Sequence, residues 1–256
     1  MRETTDIKEI QKAVLKIAVE FARIMDKHGI PYYMIGGTML GAIRHGGFIP
    51  WDDDMDFGVL RNDYNRAKDV LQQELSNPYR LLFGKQGLVN YDSTKIEDTS
   101  TIIVEKGRNP NAPSTGLFID IFPIDICNNK FGMFSRNKWI RRFMGINNLK
   151  YIWPKPLHHK MIALLVHIMP ENFFMSLAHK MLYRKGDYYI NYGGMYGARE
   201  IVPKEYFGKP MEYKFENVSF LGAEKPDKLL SCIYGNYMQL PPENKRDTHI
   251  IACYFK

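Results

Sequence analysis

An α/β fold, α+β in strict usage, is what the sequence predicts: a small mixed sheet with flanking helices and a helical insertion. Three observations lead there. The first 125 residues alternate helix-period stretches with short period-two stretches. Between Ile126 and Pro170 there is no Asp or Glu, while Lys130, Arg136, Lys138, Arg141, Arg142, Lys150, Lys155 and Lys160 supply eight positive charges, and this basic, aromatic, largely helical character runs to about Arg184. Strand alternation then returns. The expected organisation is a catalytic core over 1–125, a basic helical insertion over 126–190 and a C-terminal segment over 191–256.

Taken in order, residues 7–28 form an amphipathic helix. Ile10, Val14, Ile17, Phe21 and Ile24 recur at spacings of four and three, Asp6 with Glu9 caps the start, and Gly29–Pro31 ends it. Pro31–Ile35 is a short strand ended by Gly36-Gly37-Thr38. A short helix over Thr38–Arg44 follows, and His45-Gly46-Gly47 makes a turn. Met55–Leu60 is a strand with Met55, Phe57 and Val59 on one face and Asp54, Asp56 and Gly58 on the other. Asn62 or Asp63 caps a helix to about Leu75. Further strands are expected at Tyr79–Gly84, Thr101–Glu105 and Gly116–Pro123, the last nearly all apolar but for Asp120. Beyond the insertion, Tyr213, Phe215, Val218 and Phe220 alternate around Glu216-Asn217, a hairpin signal. A helix over Asp227–Tyr234 and a Pro-containing tail complete the chain.

Composition narrows the function classes. Hydrophobic residues make up 45% and aromatic residues 13%, enough for a packed core. Cys127, Cys232 and Cys253 are three, widely spaced and without a CxxC pair, which argues against a disulfide framework and a structural zinc site. No apolar stretch follows Arg2 and Glu3, and the longest apolar runs, around Met161–Met169, are too short to span a bilayer. A cytoplasmic protein, soluble or peripheral, is therefore expected. The net charge of +7 resides in the insertion, whose partner is expected to be a localised anionic surface.

The run Trp51-Asp52-Asp53-Asp54-Met55-Asp56 holds four aspartates in five residues. On a strand Asp52, Asp54 and Asp56 point the same way, with neighbours roughly 6–7 Å apart. Carboxylates that close repel one another unless a cation lies between them, and an all-oxygen donor set suits Mg2+ or Mn2+ better than zinc. A solvated acidic loop would not run straight into alternating Met55, Phe57 and Val59, and a calcium loop would need Gly and distal Glu positions that are absent. Asp120 lies in the apolar run Phe118-Ile119-Asp120-Ile121-Phe122, where an unpaired carboxylate would be costly; a shared metal or a salt bridge to a buried Arg would relieve it. Gly36-Gly37-Thr38, between a strand and a helix, would let backbone N–H groups approach a phosphate, although Gly-Gly also serves as a plain tight turn.

The whole stretch Gly36-Gly37-Thr38-Met39-Leu40-Gly41-Ala42-Ile43-Arg44-His45-Gly46-Gly47-Phe48-Ile49-Pro50-Trp51-Asp52-Asp53-Asp54-Met55-Asp56 resembles the signature of the LicD-type family. That family includes bacterial phosphocholine transferases and is related to the fukutin-type ribitol-phosphate transferases of animals. Lys95-Ile96 followed by Thr within Tyr91–Glu105 is similar to its second motif, and Phe118–Asp125 to its third. Tyr234-Gly235-Asn236-Tyr237-Met238-Gln239-Leu240-Pro241-Pro242 with Arg246 and His249 is similar to its C-terminal motif. The resemblance implies a nucleotidyltransferase-like fold, a CDP-linked alcohol donor and a sugar hydroxyl acceptor on a cell-surface glycan precursor. It implies that Asp54, Asp56 and Asp120 hold the metal, with Asp52 beside them; chemically, either Asp120 or Asp52 could take the acceptor's proton, a role the sequence does not assign between them. Gly36, Gly37, Thr38, Arg44, His45, Lys95, Arg246 and His249 are the expected substrate contacts. Arg44 could equally be a helix-end cation and His45 a turn residue, and Arg246 and His249 rest on the resemblance alone. His28, His158, His159, His167 and His179 have no ligand spacing and read as structural or surface residues.

Two rivals stay open. A true nucleotidyltransferase, passing NMP to a hydroxyl or phosphate, would use the same cradle. A nucleic-acid-binding protein would explain the basic segment with Phe131, Phe134, Trp139 and Phe143, but leaves the aspartates unexplained, so no nucleic-acid partner is expected. A lipid-carried acceptor would instead bring the insertion, with Trp139 and Trp153, against the anionic inner face of a membrane.

Overall fold

The computed structural model describes residues 1–83, 92–106, 115–148, 164, 166–170 and 172–256. Its mixed sheet runs β2-β3-β7-β5-β4, from β2 (Tyr33–Met34), β3 (Asp56–Leu60), β4 (Tyr79–Phe83), β5 (Thr94–Asp98) and β7 (Phe118–Cys127). Only β3 and β7 run parallel; the other neighbours are antiparallel. β7 goes on to pair with β8 (Tyr188–Ile190), and β8 with β9 (Val202–Pro203). A second sheet joins β1 (Arg2–Thr4), β12 (Ile250–Phe255) and β6 (Thr101–Glu105). The expected hairpin is β10 (Met211–Phe215) and β11 (Val218–Gly222), with Phe215 opposite Val218 across the Glu216-Asn217 turn. The α+β expectation holds.

Helix α1 (Ile7–Lys27) follows its apolar stripe: Ile10, Val14, Ile17, Phe21 and Ile24 are buried. Asp6 caps it by accepting from the Lys8 N–H, while Glu9 turns to Arg2 instead of closing a capping box. α1 packs on β5, β7 and α3 (Arg61–Glu74), and Phe21, Tyr32, Phe57 and Phe220 meet ring to ring beneath the sheet. Helix α2 (Gly36–His45) begins two residues earlier than expected and ends at Gly46, whose φ of +70° closes the helix in the left-handed region. The expected cap at Asn62 or Asp63 is not there. β3 runs directly into α3 through Leu60, and no side chain caps the helix.

Other corrections have physical causes. β7 continues four residues past the expected end at Pro123. That proline lies where β5 pairing has stopped and β8 pairing has not begun, so neither neighbour needs its missing N–H. The C-terminal tail contains β12, pinned between β1 and β6. Gly84, the end of the expected fourth strand, lies outside the described residues, as do Lys150, Trp153, Lys155, His158, His159 and Lys160. In the insertion, α4 (Arg136–Asn148) packs on α5 (Phe173–Lys180). Cys127, Ile140, Met144, Ala178, Ile190 and Tyr192 form a separate small core there. Two further helices, α6 (Lys204–Phe207) and α7 (Pro226–Tyr234), pack together beside β2 and β9.

Candidate active site

The acidic run sits where β3 enters the sheet. Asp56 opens β3, while Asp52–Met55 precede it in extended chain that keeps the alternation: Asp53 and Met55 are buried, and Asp52, Asp54 and Asp56 line one cavity of about 750 Å³. Two anchors hold the run. Gln11, a polar residue on the buried face of α1, donates to the carbonyls of Ile49 (3.1 Å) and Asp52 (2.7 Å). Asp53, its side chain fully buried, accepts from the backbone N–H groups of His249 (2.8 Å) and Ile250 (2.6 Å) and from His249 Nδ1 (3.1 Å). Asp53 thus fastens the start of β12 to the site and carries His249 to the cavity wall. Neither Gln11 nor Asp53 was recognised from sequence, although a glutamine on an apolar helix stripe is a readable signal.

Gly36 and Gly37 do something more specific than opening a turn. A Cβ on Gly36 would stand 2.8 Å from Asp56 Oδ2, and one on Gly37 would stand 2.5 Å from Asp52 Oδ2. Gly36 also has φ +56°, a region other residues rarely enter. The bare backbone at the start of α2 therefore lets two carboxylates pack against it. Thr38 is buried, and its Oγ1 accepts from the Asp56 N–H at 2.7 Å, tying the glycine turn to β3.

Asp120 is the register partner of Asp56 on the parallel strand β7, and Lys95 its partner on β5. Lys95 Nζ lies 2.9 Å from Asp120 Oδ2 and 3.2 Å from the centre of the Phe118 ring. The premise that Asp120 lacks a partner therefore fails, and the partner is a lysine rather than the buried Arg considered above. Lys95 faces Asp120 and does not line the cavity, whereas Asp120 does. Arg44 lines the cavity and donates from Nη1 to the Tyr237 carbonyl at 2.7 Å. His45 is exposed, outside the lining, 3.0 Å from Arg44 Nε. Arg246 also lies outside it, its guanidinium 4.9 Å from the centre of the Trp51 ring. His28 pairs with Glu74 and His179 with Asp92, in keeping with structural roles. Asp125 is buried in a bidentate pair with Arg61, at 2.7 and 2.8 Å, and Arg61 also reaches Asp92.

Crowding shows in the proton affinities. Burial, and next the neighbouring Asp54, push the Asp52 carboxyl up to about 8. Burial raises Asp54 too, with His249 opposing, and raises Asp56 well above the carboxylate range with help from Asp54, Asp120 and Asp52. The hydrogen bond to Asp53 holds His249 up at about 9 against the effect of burial. Among the described residues, Asp52, Asp54 and His249 bring ligand atoms within 4.8 Å of one another. Asp56 and Asp120, of the expected metal set, are not part of that grouping; with Asp52 and Asp54 they are hard oxygen donors on the cavity wall, a donor type that suits a divalent cation.

The family description LicD/FKTN/FKRP, nucleotidyltransferase domain, matches residues 29–170. The chain is 31% identical to the lipopolysaccharide cholinephosphotransferase LicD of Haemophilus influenzae, over 96% of each protein. It is 34% identical to the human ribitol 5-phosphate transferase FKRP over 23% of this chain and 12% of that protein. With human FKTN, a ribitol-5-phosphate transferase, it shares 30% identity over 32% of this chain and 17% of the other. The matched span takes in the glycine turn, the acidic run and Asp120, while the Haemophilus protein aligns on to nearly the full length, so this chain belongs to the LicD/FKTN/FKRP family.

Proposed function

We propose that the protein transfers a phospho-alcohol of the phosphocholine type from a CDP-linked donor to a sugar hydroxyl of a cell-surface glycan precursor such as a lipopolysaccharide. The observation that carries this reading is the convergence of Asp52, Asp54, Asp56 and Asp120 on one cavity beside a glycine turn. Near full-length similarity to a protein named as a lipopolysaccharide cholinephosphotransferase supports the group transferred. In the reaction the acceptor oxygen bonds to the alcohol-bearing phosphorus of the donor. The bond from that phosphorus to the bridging oxygen breaks, and CMP leaves with the electron pair. The acceptor's proton passes to a carboxylate, at Asp52 or Asp120. Asp54, Asp56 and Asp120 would hold Mg2+ or Mn2+, which when bound neutralises charge on the diphosphate. Arg44 and His249, the latter fixed by Asp53, supply positive charge in the cavity lining.

The proposed working place is the cytoplasmic face of a membrane, where a lipid-carried precursor would present its hydroxyl. No described helix is long and apolar enough to cross a membrane. The basic insertion supports peripheral docking on anionic lipid: Phe134 is 83% and Met133 65% exposed, and in the same segment Lys138 lies over the Phe131 ring and Arg142 over the Trp139 ring. The test is incubation with Mg2+ and a panel of CDP-alcohols. Release of CMP is expected, whereas pyrophosphate from a nucleoside triphosphate would favour a true nucleotidyltransferase.

A further inference from the structure

The cavity extends past the carboxylates into a chamber that the transfer chemistry leaves unused. Tyr196 and Tyr234 meet edge to face there, ring centres 5.0 Å apart, and Glu200 borders the same space. Val202, Phe207, Leu229 and Ile233 form its apolar wall. Glu200 is held in place: its Oε1 accepts from the Tyr196 N–H at 3.3 Å, and a Cβ on Gly194 would stand 2.3 Å from the same oxygen. Tyr234 lines the cavity together with Glu200, Asp52 and Asp56. Both phenols hold their protons more tightly than usual, through burial first, so they offer neutral rings. Arg141, on α4, acts on Glu200 with opposite charge.

Resting on the transferase reading above, we propose that Tyr196, Tyr234 and Glu200 form the subsite for the transferred alcohol's head group, and that this head group is a quaternary ammonium. Such a cation has no N–H to donate and is recognised by aromatic faces and a carboxylate at van der Waals range.

The test uses CDP-choline and its neutral isostere, CDP-3,3-dimethylbutanol, which differ by one charge at constant shape. Dissociation constants are measured by equilibrium dialysis with Mg2+, and CMP release is followed in parallel. The wild type is expected to bind CDP-choline about tenfold more tightly than the isostere. That ratio should fall towards one in Glu200→Gln and in Tyr196→Leu, whose side chain is half exposed and whose replacement spares the core. Equal binding of both donors by the wild type, with CMP released from both, overturns the subsite and leaves the transferase reading standing. An unchanged ratio in both variants also overturns it. If neither donor binds nor yields CMP, the transferase reading fails and the subsite falls with it.

Discussion

Alternation along Asp52–Asp56 divides the aspartates between two jobs, and single substitutions should separate them. Asp56→Asn is expected to abolish transfer while the metal-free protein melts at the same temperature or higher, since one repulsive charge is removed. Asp53→Ala should do the reverse first: it strips two backbone N–H groups of their buried acceptor and lowers stability by about 1–3 kcal/mol. A lower metal-free melting temperature for Asp56→Asn would assign that residue to the scaffold. Glu200 gives a pH test away from the proposed metal ligands. Burial raises its carboxyl to about 6, so the folded state holds the proton more tightly than the unfolded chain. Its contribution to stability is full below the ordinary glutamate range and is lost as pH rises through about 6. Melting curves between pH 4 and 7 should show this decline in the wild type and a shallower one in Glu200→Gln; parallel curves would contradict it. From the sequence, Asp52, Asp54 and Asp56 were readable because period two survives even where the strand has not begun. Asp53 was not, because its partners lie almost 200 positions away.

At the level of elements, the strand pair that carries the cavity's aspartates was legible and its neighbour β5 was not. Helix α1, β3 and the β10–β11 hairpin carry their periods openly. β5 hides because Thr94–Asp98 mixes polar and apolar residues on a strand buried on both sides, its role set by tertiary pairing. Missing it left Asp120 without a visible partner. The cross-strand Lys95–Asp120 pair can be isolated in a double-mutant cycle. Lys95→Met should destabilise the metal-free protein by about 3 kcal/mol, by leaving a mostly buried carboxylate alone. Adding Asp120→Leu should recover much of that loss in urea denaturation. Losses that simply add would show that the two side chains do not depend on each other. Asp120→Asn alone should cut turnover by orders of magnitude if this carboxylate serves the reaction. β1 and β12 were equally hidden: short terminal strands acquire their identity only from pairing with each other and with β6.

At the scale of the molecule, charge is sorted by place: carboxylates converge on the cavity, while the stretch 126–170 of the insertion, which has no Asp or Glu, carries the basic excess. The insertion was visible in sequence as a charge pattern, but not which cations are free to meet a surface. Arg136 donates to the carbonyls of Met181 and Leu182 and so ties α4 to the chain leaving α5. Lys130 is exposed, while Lys138 lies over the Phe131 ring and Arg142 over the Trp139 ring within reach of the Met133 carbonyl; these three are the cations proposed to meet a lipid surface, each adding on the order of 1 kcal/mol at low screening. Vesicles with anionic lipid should bind the protein at low salt and release it at high salt. Replacing those three by Gln should weaken binding while sparing turnover on a soluble acceptor. Equal binding to neutral vesicles would remove the electrostatic basis of docking.

The central claim is that the converging carboxylates move a phospho-alcohol, leaving the nucleotide behind. Its most direct test follows both products at once, CMP in solution and mass added to an oligosaccharide acceptor, with CDP-choline as donor. One CMP is expected for each phosphocholine gained by the glycan, only with Mg2+ or Mn2+ present, and neither product with Asp56→Asn. Nucleotide found attached to the acceptor, or equal yields with a chelator, would contradict it.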